Sequence, residues 1–264
     1  MTNQIQHIAV VGAGYMGGGI AQVLAMAGFD VVIVDADSNL TRRHLDRLGR
    51  EAEDFEAQGL FDAGSADLVR ANLRAAAGLA EAVAEADLIE EAVLEQPEIK
   101  GPVLKSIEAA ARADAIIGSN TSTLPIGDLV ANLTHPERFL GIHFSNPAPF
   151  IPGVELIAHG STDEAAMQAA EAVVARTGKL SARVNDMAGL DVYEDCFRTF
   201  EEHYGERLAA PSMLTELVNA GRHGVKQGGG FVVPAGDQAP LIAYRNTAYA
   251  KLGQLLRELG PAPL

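Results

Sequence analysis

From His7 to Val184, short apolar runs alternate with longer stretches of helical periodicity. His7-Ile-Ala-Val-Val11 has the pattern of a buried strand, and the small-residue-rich segment from Tyr15 to about Ala27 predicts a helix. Val31-Val-Ile-Val34 predicts a second strand ending on Asp35, and Ser38 is placed to cap a long polar helix reaching about Gln58. A second polar helix is expected from about Ser65 to Ala77. Asp87–Val93 reads as a strand leading to Glu95, and Pro97 opens a helix that runs to about Ala113. Ala115–Ser119 is a strand ending in the polar turn Asn120-Thr-Ser-Thr123. Arg138–His143, Val154–Ile157 and Lys179–Val184 supply the remaining strands, with an Ala-rich helix over Asp163–Arg176.

Strands alternating with helices imply an α/β fold with a doubly wound, mainly parallel sheet, whose ligands sit beyond the strand carboxyl ends. Beyond Asp186 the pattern turns helical, at about Leu190–Tyr204, Ser212–Ala220 and Leu241–Leu259, with one short strand at Phe231–Val233. The expected division is therefore residues 1–184 as a nucleotide domain and residues 185–264 as a smaller helical domain.

Composition narrows the function. At 264 residues and 48% apolar, the chain can bury a substantial core. A net charge of −15 disfavours nucleic acid or an anionic membrane as partner. No charged-then-apolar leader and no membrane-length apolar run are visible, so a cytoplasmic location is expected. Cys196 is the single cysteine, which rules out an intramolecular disulfide, and the seven histidines lack metal-ligand spacing. No metal is expected.

The chemistry begins at Gly12-Ala-Gly-Tyr-Met-Gly17, a G-x-G-x-x-G between a strand and a helix. Gly12 permits the tight turn, Gly14 lets a pyrophosphate approach the backbone, and Gly17 lets the helix pack against the sheet. The helix N-terminus offers free N–H groups to an anion. Asp35, about 20 residues further on, can accept both ribose hydroxyls and repel a 2′-phosphate, so NAD is expected over NADP. In Gly141-Ile-His-Phe-Ser-Asn-Pro-Ala-Pro149, His143 ends an apolar run, with Glu155 downstream. Histidine exchanges protons near neutral pH, and a carboxylate can orient its ring. Asp35, Glu95, Ser122 and His143 all fall at predicted strand ends, which points to one shared site.

These motifs resemble the L-3-hydroxyacyl-CoA dehydrogenase family over most of the chain. The resemblance is carried by Gly12–Gly17, Glu95 with Lys100, Ser119-Asn-Thr-Ser-Thr-Leu124, the His143 segment with Val154-Glu155, and Gly224-Val-Lys-Gln-Gly-Gly-Gly-Phe231. It implies a Rossmann domain and hydride transfer between C3 of a 3-hydroxyacyl group and NAD. His143 would be the general acid/base, Glu155 its orienter, and Ser122 a hydrogen-bond partner of the substrate oxygen. Asn146 would lie near nicotinamide, and Tyr15, Met16, Glu95, Lys100 and Lys226 along the NAD site. The family resemblance also implies a homodimer.

The chain departs from that family in three places, one of them Phe150-Ile-Pro-Gly153, where the family usually carries a lysine just before its Val-Glu. After the last strand of the nucleotide domain the family has a Gly-Phe-x-x-Asn-Arg segment whose Asn binds the substrate oxygen. Here Arg183-Val-Asn-Asp-Met-Ala-Gly-Leu190 runs straight into what resembles a later part of the helical domain, and helices that carry much of the dimer contact are missing with that segment. Where the family places a serine and a lysine for CoA phosphates, this chain has Glu51 and Gln58; Arg42, Arg43, Arg47 and Arg50 on the same helix can compensate. Three functions follow as alternatives: a 3-hydroxyacyl-CoA dehydrogenase, the same chemistry on a free 3-hydroxy acid or diketo compound, or an NAD-binding protein with little turnover.

Overall fold

β1 (His7–Val11) is buried on both faces, and the rest of the first unit is arranged around it. Ile8 and Val10 enter one hydrophobic core, while Ala9 and Val11 enter the other. A strand apolar on both faces is the signature of a parallel sheet covered by helices on each side. The computed structural model describes residues 5–122, 124–183 and 212–222. The chain divides into two units, Met1–Ala182 and Arg183–Leu264.

After β1 come α1 (Tyr15–Met26), β2 (Asp30–Val34), α2 (Ser38–Ala57), α3 (Ser65–Asn72), β3 (Leu73–Ala75), α4 (Leu79–Val83) and β4 (Leu88–Glu91). They are followed by α5 (Pro97–Ala110), β5 (Ile116–Ser119), α6 (Ile126–Val130), β6 (Phe139–Phe144), β7 (Gly153–Ile157), α7 (Glu164–Arg176) and β8 (Leu180–Arg183). In the second unit the described helix is α8 (Ser212–Asn219). The sheet order is β3-β2-β1-β4-β5-β6-β7-β8. Every ladder from β3 across to β6 is parallel. β6 and β7 pair antiparallel. The chain is thus a doubly wound, mainly parallel α/β fold, as its periodicity predicts.

Several boundaries differ from the sequence reading for physical reasons. The expected Ser65–Ala77 helix stops at Asn72, because Leu73, Arg74 and Ala75 pair with Val31, Val32 and Ile33 and extend the sheet by one strand. Sheet pairing outweighs the helix propensity of that Ala-rich run. The cap of α2 is Asp37 and not Ser38: its carboxylate accepts the Asn39 and Leu40 N–H groups. The short helices α4 and α6 are too brief for periodicity to show. The predicted helices at residues 190–204 and 241–259, the strand at Phe231–Val233, and Cys196 lie outside the described residues.

β4 carries a feature that apolar patterning would not place in a core. Glu90 is buried, and neither carboxylate oxygen has a hydrogen-bond partner among the described residues. It occupies the space that a side chain on Gly118 would fill, since a Cβ there would lie 2.4 Å from Glu90 Oε2. Burial, with a smaller contribution from Glu91, pushes the Glu90 carboxyl well above its ordinary value of 4.5, against the opposing pull of Lys100. A carboxyl raised in the folded state favours folding least at high pH, so stability is lost as pH climbs above about 4.5. Glu90→Gln keeps the shape without an ionisable group. In urea unfolding it should equal the wild type near pH 4.5 and exceed it at alkaline pH by about 1–3 kcal/mol. A variant that loses stability equally at both pH values would contradict a neutral Glu90.

Candidate active site

The turn between β1 and α1 is shaped to leave its backbone accessible. Gly12 has φ +93°, and a Cβ there would lie 2.7 Å from the Ala92 carbonyl oxygen. A Cβ on Gly17 would lie 1.8 Å from the Gly12 carbonyl oxygen, so that position admits only glycine. A Cβ on Gly14, by contrast, would meet nothing within 4 Å. Gly14 caps α1 without a side-chain hydrogen bond, and the first turn of α1 carries no acid. Its leading N–H groups and dipole are therefore available to an anion such as a pyrophosphate. Arg47, from α2, donates to the carbonyls of Ala13 and Gly14 at 3.3 and 3.1 Å and holds the turn from behind.

A cavity of about 720 Å³ runs from Gly12 and Gly14 to Asp35, walled by Leu40, Ala77, Leu79, Val93, Ile99 and Val103. An apolar slot ending on a carboxylate suits an adenine with its ribose. The Asp35 carboxylate accepts the Ala13 N–H at 2.9 Å and the Ala36 N–H at 2.7 Å. Oδ1 keeps a further lone pair for a hydroxyl, while Oδ2 also has His44 Nδ1 at 3.2 Å. These features fit the adenosine half of NAD. Tyr15 is exposed at the start of α1, and Met16 beside it is half-buried.

The second cluster lies at the carboxyl ends of β5 and β6. His143 and Glu155 face each other across the antiparallel β6–β7 ladder. Their side chains meet at 2.7 Å, His143 Nδ1 to Glu155 Oε2. On its other side, His143 Nε2 is 2.9 Å from Ser122 Oγ. A carboxylate only accepts, so Nδ1 carries the proton towards Glu155, and Nε2 accepts from the serine hydroxyl. The result is a fixed line of hydroxyl, imidazole and carboxylate. Asn120 links the same strands, its Oδ1 accepting the Phe144 N–H at 2.8 Å.

Beneath this line is a buried ionic chain of which only two members, Glu95 and Lys100, stand out in the sequence. Lys100 Nζ donates to Glu91 at 2.8 and 3.1 Å, and both side chains are fully buried. Ser119 Oγ donates to Glu91 Oε2 at 2.6 Å, and the Val93 N–H donates to its other oxygen at 2.7 Å. Lys100 also lies 3.4 Å from Glu95 Oε2. Glu95 Oε1 in turn accepts the Thr121 hydroxyl at 2.6 Å and the Ser122 N–H at 2.8 Å. Lys100 and Glu95 therefore support the turn that presents Ser122. Sequence reasoning named Ser119 and Thr121 only as part of the Ser119–Leu124 motif and passed over Glu91; the signal was the pair of acids inside an otherwise apolar strand, Leu88-Ile-Glu-Glu91.

Asn146 is exposed and precedes a cis peptide bond to Pro147. Lys226 lies outside the described residues. Among the described residues no group of His, Cys, Asp or Glu is arranged to hold a metal ion, and no helix is long and apolar enough to cross a membrane.

Fold and site together define a dinucleotide-binding α/β domain with a hydrogen-bonded Ser122–His143–Glu155 line at its strand ends. Residues 7–187 match the family described as 3-hydroxyacyl-CoA dehydrogenase, NAD binding domain. Residues 165–233 match its 3-hydroxyacyl-CoA dehydrogenase, C-terminal domain. The chain belongs to the 3-hydroxyacyl-CoA dehydrogenase family, and NAD is the cofactor of its first domain. It is 34% identical over 186 residues to a 3-hydroxybutyryl-CoA dehydrogenase of Bradyrhizobium diazoefficiens, covering 70% of this chain and 63% of that protein. It is 35% identical over 188 residues to a fatty acid oxidation complex subunit alpha of Idiomarina loihiensis, covering 71% of this chain and 26% of that protein. The chain thus spans less than two thirds of either relative. The crystal structure of FadB2 from M. tuberculosis matches with a TM-score of 0.65 at 28% identity, over 88% of this chain and 100% of that one.

The buried ionic chain makes its own prediction. Lys100→Met strands the Glu91 carboxylate in the core and should cost about 3–5 kcal/mol in urea unfolding. Adding Glu91→Gln should recover much of that loss. A cost below about 1 kcal/mol for Lys100→Met would mean that the pair does not hold the turn.

Proposed function

We propose that this chain is an NAD-dependent oxidoreductase that interconverts a 3-hydroxyacyl-CoA and the 3-ketoacyl-CoA. The observation that carries the reading is the hydrogen-bonded line Ser122–His143–Glu155 at the strand ends of an NAD binding domain. Bound NAD supplies the hydride acceptor for oxidation, and NADH the donor for reduction. Glu155 holds the His143 proton on Nδ1; when the Ser122 hydroxyl turns from Nε2 to the substrate oxygen, the Nε2 lone pair is free to take the proton of the substrate's 3-hydroxyl. In reduction the same Nε2 returns it. As Nε2 gains the proton, the Glu155 carboxylate offsets the imidazolium charge. Ser122 Oγ is one hydrogen bond from Nε2 and steadies the charge that develops on the substrate oxygen.

In this reading Gly12, Gly14, Tyr15, Met16, Gly17 and Asp35 hold NAD, Glu95 and Lys100 support its nicotinamide end, and Asn146 and Lys226 border it. Residues 1–184 form the NAD domain and residues 185–264 the helical domain of a cytoplasmic homodimer. The names of the two curated relatives support a place in fatty acid oxidation on short acyl chains.

A specific observation favours a second reading, the same chemistry on a free 3-hydroxy acid or diketo compound. Glu51 is committed to Arg47 at 2.7 Å, and Gln58 caps the end of α2. Neither supplies the cation that a CoA phosphate would want.

NADH oxidation followed with acetoacetyl-CoA and with free acetoacetate separates the readings. Turnover is expected with the thioester, and His143→Ala should lower kcat by about 10²–10⁴ while NADH affinity persists. Turnover with the free acid alone would move the assignment to the second reading. NADH binding without turnover on either substrate would leave an NAD-binding protein, in line with the missing Gly-Phe-x-x-Asn-Arg segment. Full activity in His143→Ala would remove the proposed acid/base.

A further inference from the structure

The adenosine end of the cavity contains a titratable group that the hydride-transfer chemistry does not use. His44, on α2, has Nδ1 3.2 Å from Asp35 Oδ2, and the two side chains are 20% and 18% exposed. Both line the cavity that begins at Gly12. Their relative placement is fixed by two local devices. Asp37 caps α2. Thr41 Oγ1 accepts the Asp35 N–H at 3.0 Å and donates to the Asp37 carbonyl. Leu40 and His44, one helical turn apart, therefore share the face turned to the cavity.

We propose that His44 sets the charge at the ribose end of the cofactor site and so makes the preference for NAD over NADP depend on pH. With a neutral imidazole, the pair His44–Asp35 carries one negative charge, which opposes a 2′-phosphate. With an imidazolium the pair is neutral overall, and both ring nitrogens donate. The imidazolium then draws an anion to the same end of the slot. The discrimination should therefore weaken as falling pH adds a proton to the imidazole.

The other charged groups near this end are already committed. Asp37 is engaged with the α2 N-terminus, and its carboxyl is held low chiefly by the Leu40 N–H. Arg43, on the outer side, acts on Asp37. Arg47 is spent on Ala13, Gly14 and Glu51. From the α4 side, Glu81 accepts the Ala77 N–H at 3.1 Å. α5 and the segment after β4 present the apolar Ile99, Val103 and Val93 to the slot. His44 is thus the cation-forming side chain that lines this cavity next to Asp35.

The test is calorimetric titration of the full chain with NADH and with NADPH at about pH 5.5 and about pH 8. A 2′-phosphate changes its own charge in this range, and His44→Gln isolates that contribution. In the wild type the ratio of NADPH to NADH dissociation constants should be about tenfold smaller at the lower pH, beyond any change seen in His44→Gln; tenfold corresponds to about 1.4 kcal/mol. His44→Arg, permanently charged, should keep the ratio small at both pH values. A wild-type change no larger than that of His44→Gln, or a His44→Arg ratio as large as the wild type's at pH 8, would overturn the proposal. The proposal rests on assigning Asp35 to the ribose, and failure of that assignment shows separately: Asp35→Asn would then bind ADP-ribose as tightly as the wild type.

Discussion

One buried ammonium holds together the side-chain cluster at the strand ends of this domain. Lys100 reaches from α5 into the core beneath the strand ends and meets Glu91 on β4 at 2.8 Å and Glu95 at 3.4 Å. A charge in that position is tolerable only when it is paired and hydrogen-bonded, and here Ser119 and two backbone N–H groups complete the pairing. Through Glu95 the chain reaches the Thr121–Ser122 turn, which would otherwise be an exposed loop with freedom to move. The cost of burying charge is thus turned into a mount for the Ser122 turn.

The reversal of strand direction between β6 and β7 supplies the other half. A parallel neighbour would need a long crossover before its first residue could stand beside β6. The antiparallel β7 returns at once and sets Glu155 directly opposite His143. The imidazole is then gripped at Nδ1 by a cross-strand partner and at Nε2 by Ser122. The glycine-shaped turn at the carboxyl end of β1 is braced from outside by Arg47.

Most of the fold was readable from the chain because the signals were local. Apolar runs marked β1, β2, β5 and β6, and Gly12, Gly17 and Pro97 marked the turns and a helix start. The segment 73–75 was not readable, because its strand character comes from pairing with β2 and its own residues favour helix. The site residues His143, Glu155 and Ser122 could be named from motifs, but the antiparallel register that joins two of them is a long-range property. Glu91 escaped notice for the same reason: a glutamate in a strand becomes a mounting point only when a lysine from a separate helix meets it in the core. Lys100 was placed along the cofactor from resemblance, whereas its contacts are with Glu91 and Glu95.

The most direct measurement of the central claim is single-turnover hydride transfer from NADH to acetoacetyl-CoA in the wild type and in Glu155→Gln. The amide keeps the shape of the carboxylate but cannot offset an imidazolium. If Glu155 works through His143, the hydride-transfer rate should fall by about 100-fold or more while the NADH dissociation constant stays the same. An unchanged rate in Glu155→Gln would contradict the Ser122–His143–Glu155 line as the proton-handling unit of this site.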